Sequence, residues 1–182
     1  MNPASMRRTS LFLACLLAGC QQAATPGAAA PDRSGAAASG LERAAIATGA
    51  IADASRIAPV GLFQRRHEAG RDSLCVLPAK SGDYRFGLEA IFGTEQSCHG
   101  AGTARRAGDK LILSFSGGRK CIIVAQYDGD QVALPGVVDM ACDRLCDGRG
   151  NLEGVTFPRI ANDAGAALRA RDREDEPLCE AD

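Results

Sequence analysis

The sequence predicts a mainly β protein: a single small antiparallel meander or barrel-like domain with short flanking helices, stapled by disulfides. Three observations carry that reading. From residue 73 onward apolar and polar side chains alternate with a period of two. The alternating runs are separated by turns rich in Gly and Asp. Six cysteines, Cys75, Cys98, Cys121, Cys142, Cys146 and Cys179, fall within the same stretch.

Taken in order, Tyr84, Phe86, Leu88, Ala90 and Phe92 alternate with Arg85, Gly87, Glu89 and Ile91. Leu111, Leu113 and Phe115 alternate with Ile112 and Ser114; Ile123, Ala125 and Tyr127 share a face, and Val132 and Leu134 follow. Ser81-Gly82, Ala107-Gly108-Asp109, Ser116-Gly117-Gly118 and Asp128-Gly129 supply the turns, because Gly reaches positive φ freely and Asp bonds its own backbone. Strands are therefore expected near 73–78, 83–92, 99–105, 110–116, 120–127, 131–135 and 152–158. Six successive strands on short turns run antiparallel, since a parallel pair needs a crossover of about a dozen residues or more. Such a sheet must curl on itself or meet a helix to bury its apolar face.

The flanks are less regular. Ser39-Gly40-Leu41-Glu42 matches a capping box, so a helix is expected over 41–54 with Leu41, Ala45, Thr48 and Ala52 on one face and Gly49 weakening it. This gives a short helical unit over 41–57 and a β-rich domain over 58–182, entered at the anchors Leu62 and Phe63. Val138–Cys146 reads as a short helix or 3₁₀ turn, and Asn162–Arg173 as a C-terminal helix capped by Asn162. From Asp172 to Asp182 acidic side chains outnumber basic ones, so this end is expected to be solvated, with Cys179 pinning it.

The N-terminus carries an address. Arg7 and Arg8 precede the apolar run Leu11–Ala18, which is about half the ~20 residues a membrane-spanning helix needs and so reads as a signal peptide. The run closes on Leu17-Ala18-Gly19-Cys20, which resembles the lipobox of bacterial lipoproteins. That resemblance implies a signal over 1–19, cleavage before Cys20, diacylglyceryl modification of its thiol and acylation of its new amino group. The alternative is an ordinary secretory signal with Cys20 incidental. The signal is complete from either Met1 or Met6. Gln21 in place of Asp resembles the sorting signal for the outer membrane. Of residues 21–40, 16 of 20 are Ala, Gly, Pro, Ser or Thr, so 20–40 reads as the lipidated Cys plus a flexible tether. Its span is on the order of 25 Å.

With Cys15 lost in the signal and Cys20 lipidated, an even six cysteines remain for an oxidising periplasm, where disulfides are the default. The expected pairing joins Cys98 to Cys121, Cys142 to Cys146 and Cys75 to Cys179. A zinc reading of Cys142-x₃-Cys146 with His99 lacks the second short-spaced pair of such sites, so no metal is expected.

Chemistry is harder to find. The chain has 21 Lys+Arg against 22 Asp+Glu, a formal net charge of −1, which argues against nucleic acid and against a polybasic membrane surface. It has no Trp, two Tyr and two His. His67, in the charged segment Gln64–Glu68, and His99, after Cys98, lie in no motif with a partner and a nucleophile. No G-x-S-x-G, H-E-x-x-H or phosphate-binding Gly-rich loop occurs. No catalytic residue and no cofactor is expected. Asp147–Asn151 opens like a Ca²⁺ loop, but Leu152 and Pro158 stand where the EF-hand needs Gly and Glu. Within it Arg149 is a candidate for a partner's carboxylate or phosphate, against a structural bond to loop carbonyls.

From Leu41 onward the chain also resembles an uncharacterised group of alphaproteobacterial lipoproteins. The matching stretches are Leu74–Pro78, Gln96-Ser97-Cys98, Leu134-Pro135-Gly136 and Cys142–Arg149. The resemblance implies six paired cysteines in one domain and no particular activity. The expectation is a non-enzymatic, lipid-anchored envelope protein, held to the membrane by its N-terminal lipid and binding an envelope protein or peptidoglycan. Alternatives are an inhibitor of lysozyme or another hydrolase, since Ser116-Gly117-Gly118 resembles an inhibitory Ser-Gly loop, and a barrel for a small apolar ligand.

Overall fold

The computed structural model describes residues 40–117 and 120–180. The signal, Cys20, the tether, Ser39 of the capping box and Gly118 lie outside them. Helix α1 (Gly40–Ala47) is followed by strands β1 (Gly61–His67), β2 (Gly70–Pro78), β3 (Tyr84–Gly93), β4 (Gln96–Ala107), β5 (Lys110–Phe115), β6 (Ile122–Tyr127), β7 (Gln131–Ala133) and β8 (Thr156–Ala161), then helix α2 (Ala164–Leu168). Each strand pairs antiparallel with the next, and β8 returns to β1, closing an eight-stranded barrel. The predicted meander thus solves its burial problem by closure.

Inward positions follow the period-two pattern. Phe63, Leu74, Leu88, Leu111, Leu113, Ile123, Tyr127, Val132 and Phe157 are fully buried in one cluster. Eight strands enclose a space just wide enough for such side chains to fill.

Four expectations about extent and capping need correction. Strand β1 was expected only as the anchors Leu62 and Phe63; its second half, Gln64-Arg65-Arg66-His67, is too polar to show alternation, and His67 ends a strand rather than sitting in a loop. Strand β8 runs over Thr156–Ala161, later than expected, and includes Pro158. Helix α1 stops at Ala47, where the Thr48 hydroxyl donates to the Ala44 and Ala45 carbonyls and Gly49 turns to φ 73°. None of its residues is buried. Helix α2 is capped by Asp163, which accepts from Ala166 N–H, and not by Asn162. It is short because the chain then turns, and Arg171 bridges to Pro177 instead of continuing the helix.

The barrel ends are closed by chain segments. At the end where β4, β6 and β8 finish, residues 54–60 are held by guanidinium groups. Arg159 donates to the carbonyls of Gly129 (2.7 Å), Val60 (2.8 Å) and Ala58 (3.1 Å), and its charge stacks 4.5 Å from the Phe63 ring centroid. Arg106 donates to Ile57 and Ala54 and stacks 5.1 Å from the Tyr127 ring centroid. The Tyr127 hydroxyl reaches the Ile57 and Ala58 carbonyls at 3.1 Å. Burial pushes this phenol up, despite both guanidinium charges.

The opposite end is crossed by the 3₁₀ segment Met140–Leu145, capped by Asp139. Here the expected cysteine pairing is corrected. Cys75–Cys179 forms, but Cys98 joins Cys146 and Cys121 joins Cys142. Cys98 and Cys121 sit on β4 and just before β6 with β5 between them, and two strand spacings alone amount to about 9–10 Å. The register sets Cys121 in line with Phe115 and Gly102, four residues along β4 from Cys98, so the two are beyond disulfide reach. The crossing segment supplies one sulfur to each instead. Cys75–Cys179 lies on the outer face, where Leu62, Leu77, Ala166, Ala167 and Ala170 form a second apolar cluster. The C-terminal chain passes close over β3 at Gly87, where a Cβ would lie 1.7 Å from the Leu178 carbonyl oxygen.

Each disulfide of this kind contributes about 2–5 kcal/mol, against about 5–15 kcal/mol for a whole domain. Alkylation of the denatured, unreduced protein is expected to find none of these six thiols free. Proteolytic mapping should yield Cys98–Cys146 and Cys121–Cys142 peptides, and reduction should sharply lower the denaturant midpoint. Recovery of a Cys98–Cys121 peptide would refute the arrangement.

Candidate partner-binding surface

Strand β6 is Ile122-Ile123-Val124-Ala125-Gln126-Tyr127, and its inward residues are Ile123, Ala125 and Tyr127. Its hydrogen bonds to β5 are fixed by register: Phe115 N–H donates to Cys121, and Tyr127 N–H to Asp109. In an antiparallel ladder bonded pairs recur every second residue, so the backbone groups of Ile123 and Ala125 face β5. Those of Ile122, Val124 and Gln126 face β7.

On that side the ladder stops early. Only Gln126 pairs with Ala133 and Tyr127 with Val132. Continuing the register would set Val124 opposite Pro135, which has no N–H to give. The Pro135 carbonyl accepts instead from Gly154 N–H at 2.9 Å, and Leu134 N–H donates to Val155 at 2.8 Å. The chain after β7 has turned toward the β8 side, leaving the N–H and C=O of Ile122 and Val124 without backbone partners among the described residues. Ile122 is 49% and Val124 50% exposed, and Val137 and Met140 are exposed as well. The arrangement is an open strand edge that bears the apolar side chains of Ile122 and Val124 and can hydrogen-bond an extended chain. No sequence expectation covered this edge. Its signal was the run Ile122-Ile123-Val124, apolar on both faces, with Pro135 where its partner strand should continue.

The structure places the singled-out polar residues elsewhere. Arg149 is exposed on the turn after Cys146, which is tied to the start of β4 by Asp147 N–H donating to Ser97 at 2.8 Å. Among the described residues Arg149 has no hydrogen-bond or ion-pair partner, so the loop-carbonyl bond weighed for it is not formed. Ser116 is exposed beside Gly117 at the β5 end. His99 is exposed on β4, opposite Glu89. Glu89 is buried, which pushes its carboxyl up, and it accepts from Arg173 N–H at 3.2 Å. Cys142 and Cys146 are spent in disulfides, and no group of three or more metal-ligating side chains occurs among the described residues.

His67 has an orienting carboxylate that the sequence did not reveal. Its Nε2 lies 3.0 Å from Asp72, which also accepts from Arg65 at 2.8 Å and from Ile91 N–H at 2.9 Å. Arg65 reaches on to the Thr156 hydroxyl at 3.3 Å, bridging β1 to β8. No hydroxyl or thiol is bonded to His67 among the described residues, and the Asp72 carboxylate is fully engaged. The cluster is a polar plug for the barrel wall. Asp72→Ala would strand Arg65 and the buried Ile91 N–H, and is expected to cost about 2–3 kcal/mol in a urea titration. A loss below about 0.5 kcal/mol would show that the plug carries no stability.

Comparison with protein-family models, with curated proteins and with solved structures found no match for the chain.

Proposed function

We propose that the protein is a non-enzymatic, lipid-anchored domain of the bacterial cell envelope that binds an extended segment of a partner protein along the open edge of β6. The observation that carries this reading is the pair of unpartnered backbone positions, Ile122 and Val124, whose own apolar side chains are half exposed. A polypeptide strand offers donors and acceptors at that spacing, and alternate side chains for the apolar surroundings; a glycan does not. The barrel interior is filled by its own side chains, which speaks against an apolar ligand inside it. The Cys20 lipid and the tether would hold the domain near the outer membrane, facing the periplasm.

Val124→Pro tests the reading because it removes an N–H that β5 does not use. A photo-crosslinking residue at position 122 in intact cells should capture one protein partner, and Val124→Pro should abolish the capture while the domain keeps its thermal midpoint. Capture that survives Val124→Pro, that is equally efficient from position 68 on the β1–β2 turn, or that yields only peptidoglycan would overturn it.

A further inference from the structure

A second surface lies across the barrel, on the outer wall of β1 and β2, three and four strands from β6 in the ring. Here α2 and the chain after it border an open pocket of about 390 Å³ lined by Gln64, Arg71, Arg169, Arg171 and Asp175, with Leu62 and two alanines at its apolar side. Arg66 stands directly opposite Arg71 in the β1–β2 register, on the same outward face. Like charges in a cross-strand pair are destabilising. Among the described residues none of Arg66, Arg71, Arg169 and Arg171 forms an ion pair with a carboxylate.

Two of these side chains are held in place. Arg71 donates to the Arg171 carbonyl at 3.3 Å, and Arg171 donates through one nitrogen to the carbonyls of Leu168 (3.2 Å) and Ala170 (3.1 Å). A guanidinium carries five N–H donors in a planar fork, so each retains donors for a ligand. Asp175 is the one carboxylate of the lining, and three guanidinium groups leave the pocket net positive.

We infer that this pocket binds a phosphoryl group. A phosphate presents three strong acceptor oxygens and up to two charges, matching three guanidinium groups, whereas a carboxylate offers two oxygens and one charge. Binding would also relieve the repulsion between Arg66 and Arg71. The group can come from free phosphate or from the monoester headgroup of a phosphatidic acid, both of which keep three or more free oxygens and up to two charges.

Isothermal titration of the purified full chain in a phosphate-free detergent, at constant ionic strength, tests this. The probes are inorganic phosphate and monomeric short-chain phosphatidic acid. Saturable binding is expected, weakened about tenfold or more by Arg71→Gln and by Arg169→Gln, and unchanged by Arg105→Gln on β4. Tighter binding of phosphatidic acid than of phosphate would identify a headgroup site, and equal or weaker binding a phosphate site. Thermal midpoints check the fold. Should Arg71→Gln lower the midpoint, the exposed Arg169→Gln decides. No saturable binding of either probe, or equal binding by all three variants, would overturn the inference.

Discussion

The closure of the barrel is reinforced above all by one guanidinium, that of Arg159. Strand β8 meets β1 through two register pairs with a bulge between them, and Pro158 withdraws a donor from the β1 side of the ladder. Arg159 reinforces this seam from within, spanning the turn after β6, the segment before β1 and the ring of Phe63. Hydrogen bonds from a charged group contribute about 1.5–3 kcal/mol each, so this one side chain offsets much of what the short ladder lacks. Lysine has neither the fork nor the flat face for stacking. Because residues 54–60 are fastened by Arg159 and Arg106 together, that end of the barrel is shut.

The other end is shut by covalent bonds. Met140–Leu145 crosses it and is tied by two disulfides, one to β4 and one beside β6. To reach that crossing, the chain must leave β7 after Ala133, and so it abandons β6. The open edge is thus a consequence of how the far end is capped. With the interior full and both ends covered, recognition is left to the outer surface. There the two notable departures from a quiet exterior are the β6 edge and the arginine pocket beside α2.

Strands β5 and β6 were legible because one face of each is buried and the other more exposed, which writes a period of two into the sequence. Strands β2 and β3 are buried on both faces over Asp72–Leu77 and Phe86–Ile91, and were legible as apolar runs bounded by turns. Strand β1 was not, since Arg65 and His67 occupy inward positions and are tolerated only because Asp72, seven and five residues further along and brought back by the β1–β2 hairpin, meets them. The even count of cysteines was readable, and so was Cys75–Cys179. The other two pairs depend on where Met140–Leu145 crosses, a tertiary fact with no local signal. The open edge was hidden for the same reason. It is an absence of pairing, visible only once β7, Pro135 and Gly154 are placed together. The Cys20 lipidation and the tether rest on the sequence alone.

Amide hydrogen exchange along β6 tests the central claim most directly. If the backbone of this strand is satisfied toward β5 and open on its other side, Ile123 and Ala125 should exchange slowly, and Ile122 and Val124 should exchange far faster, in alternation along a single strand. Equal protection of all four amides in the isolated monomer would contradict the account.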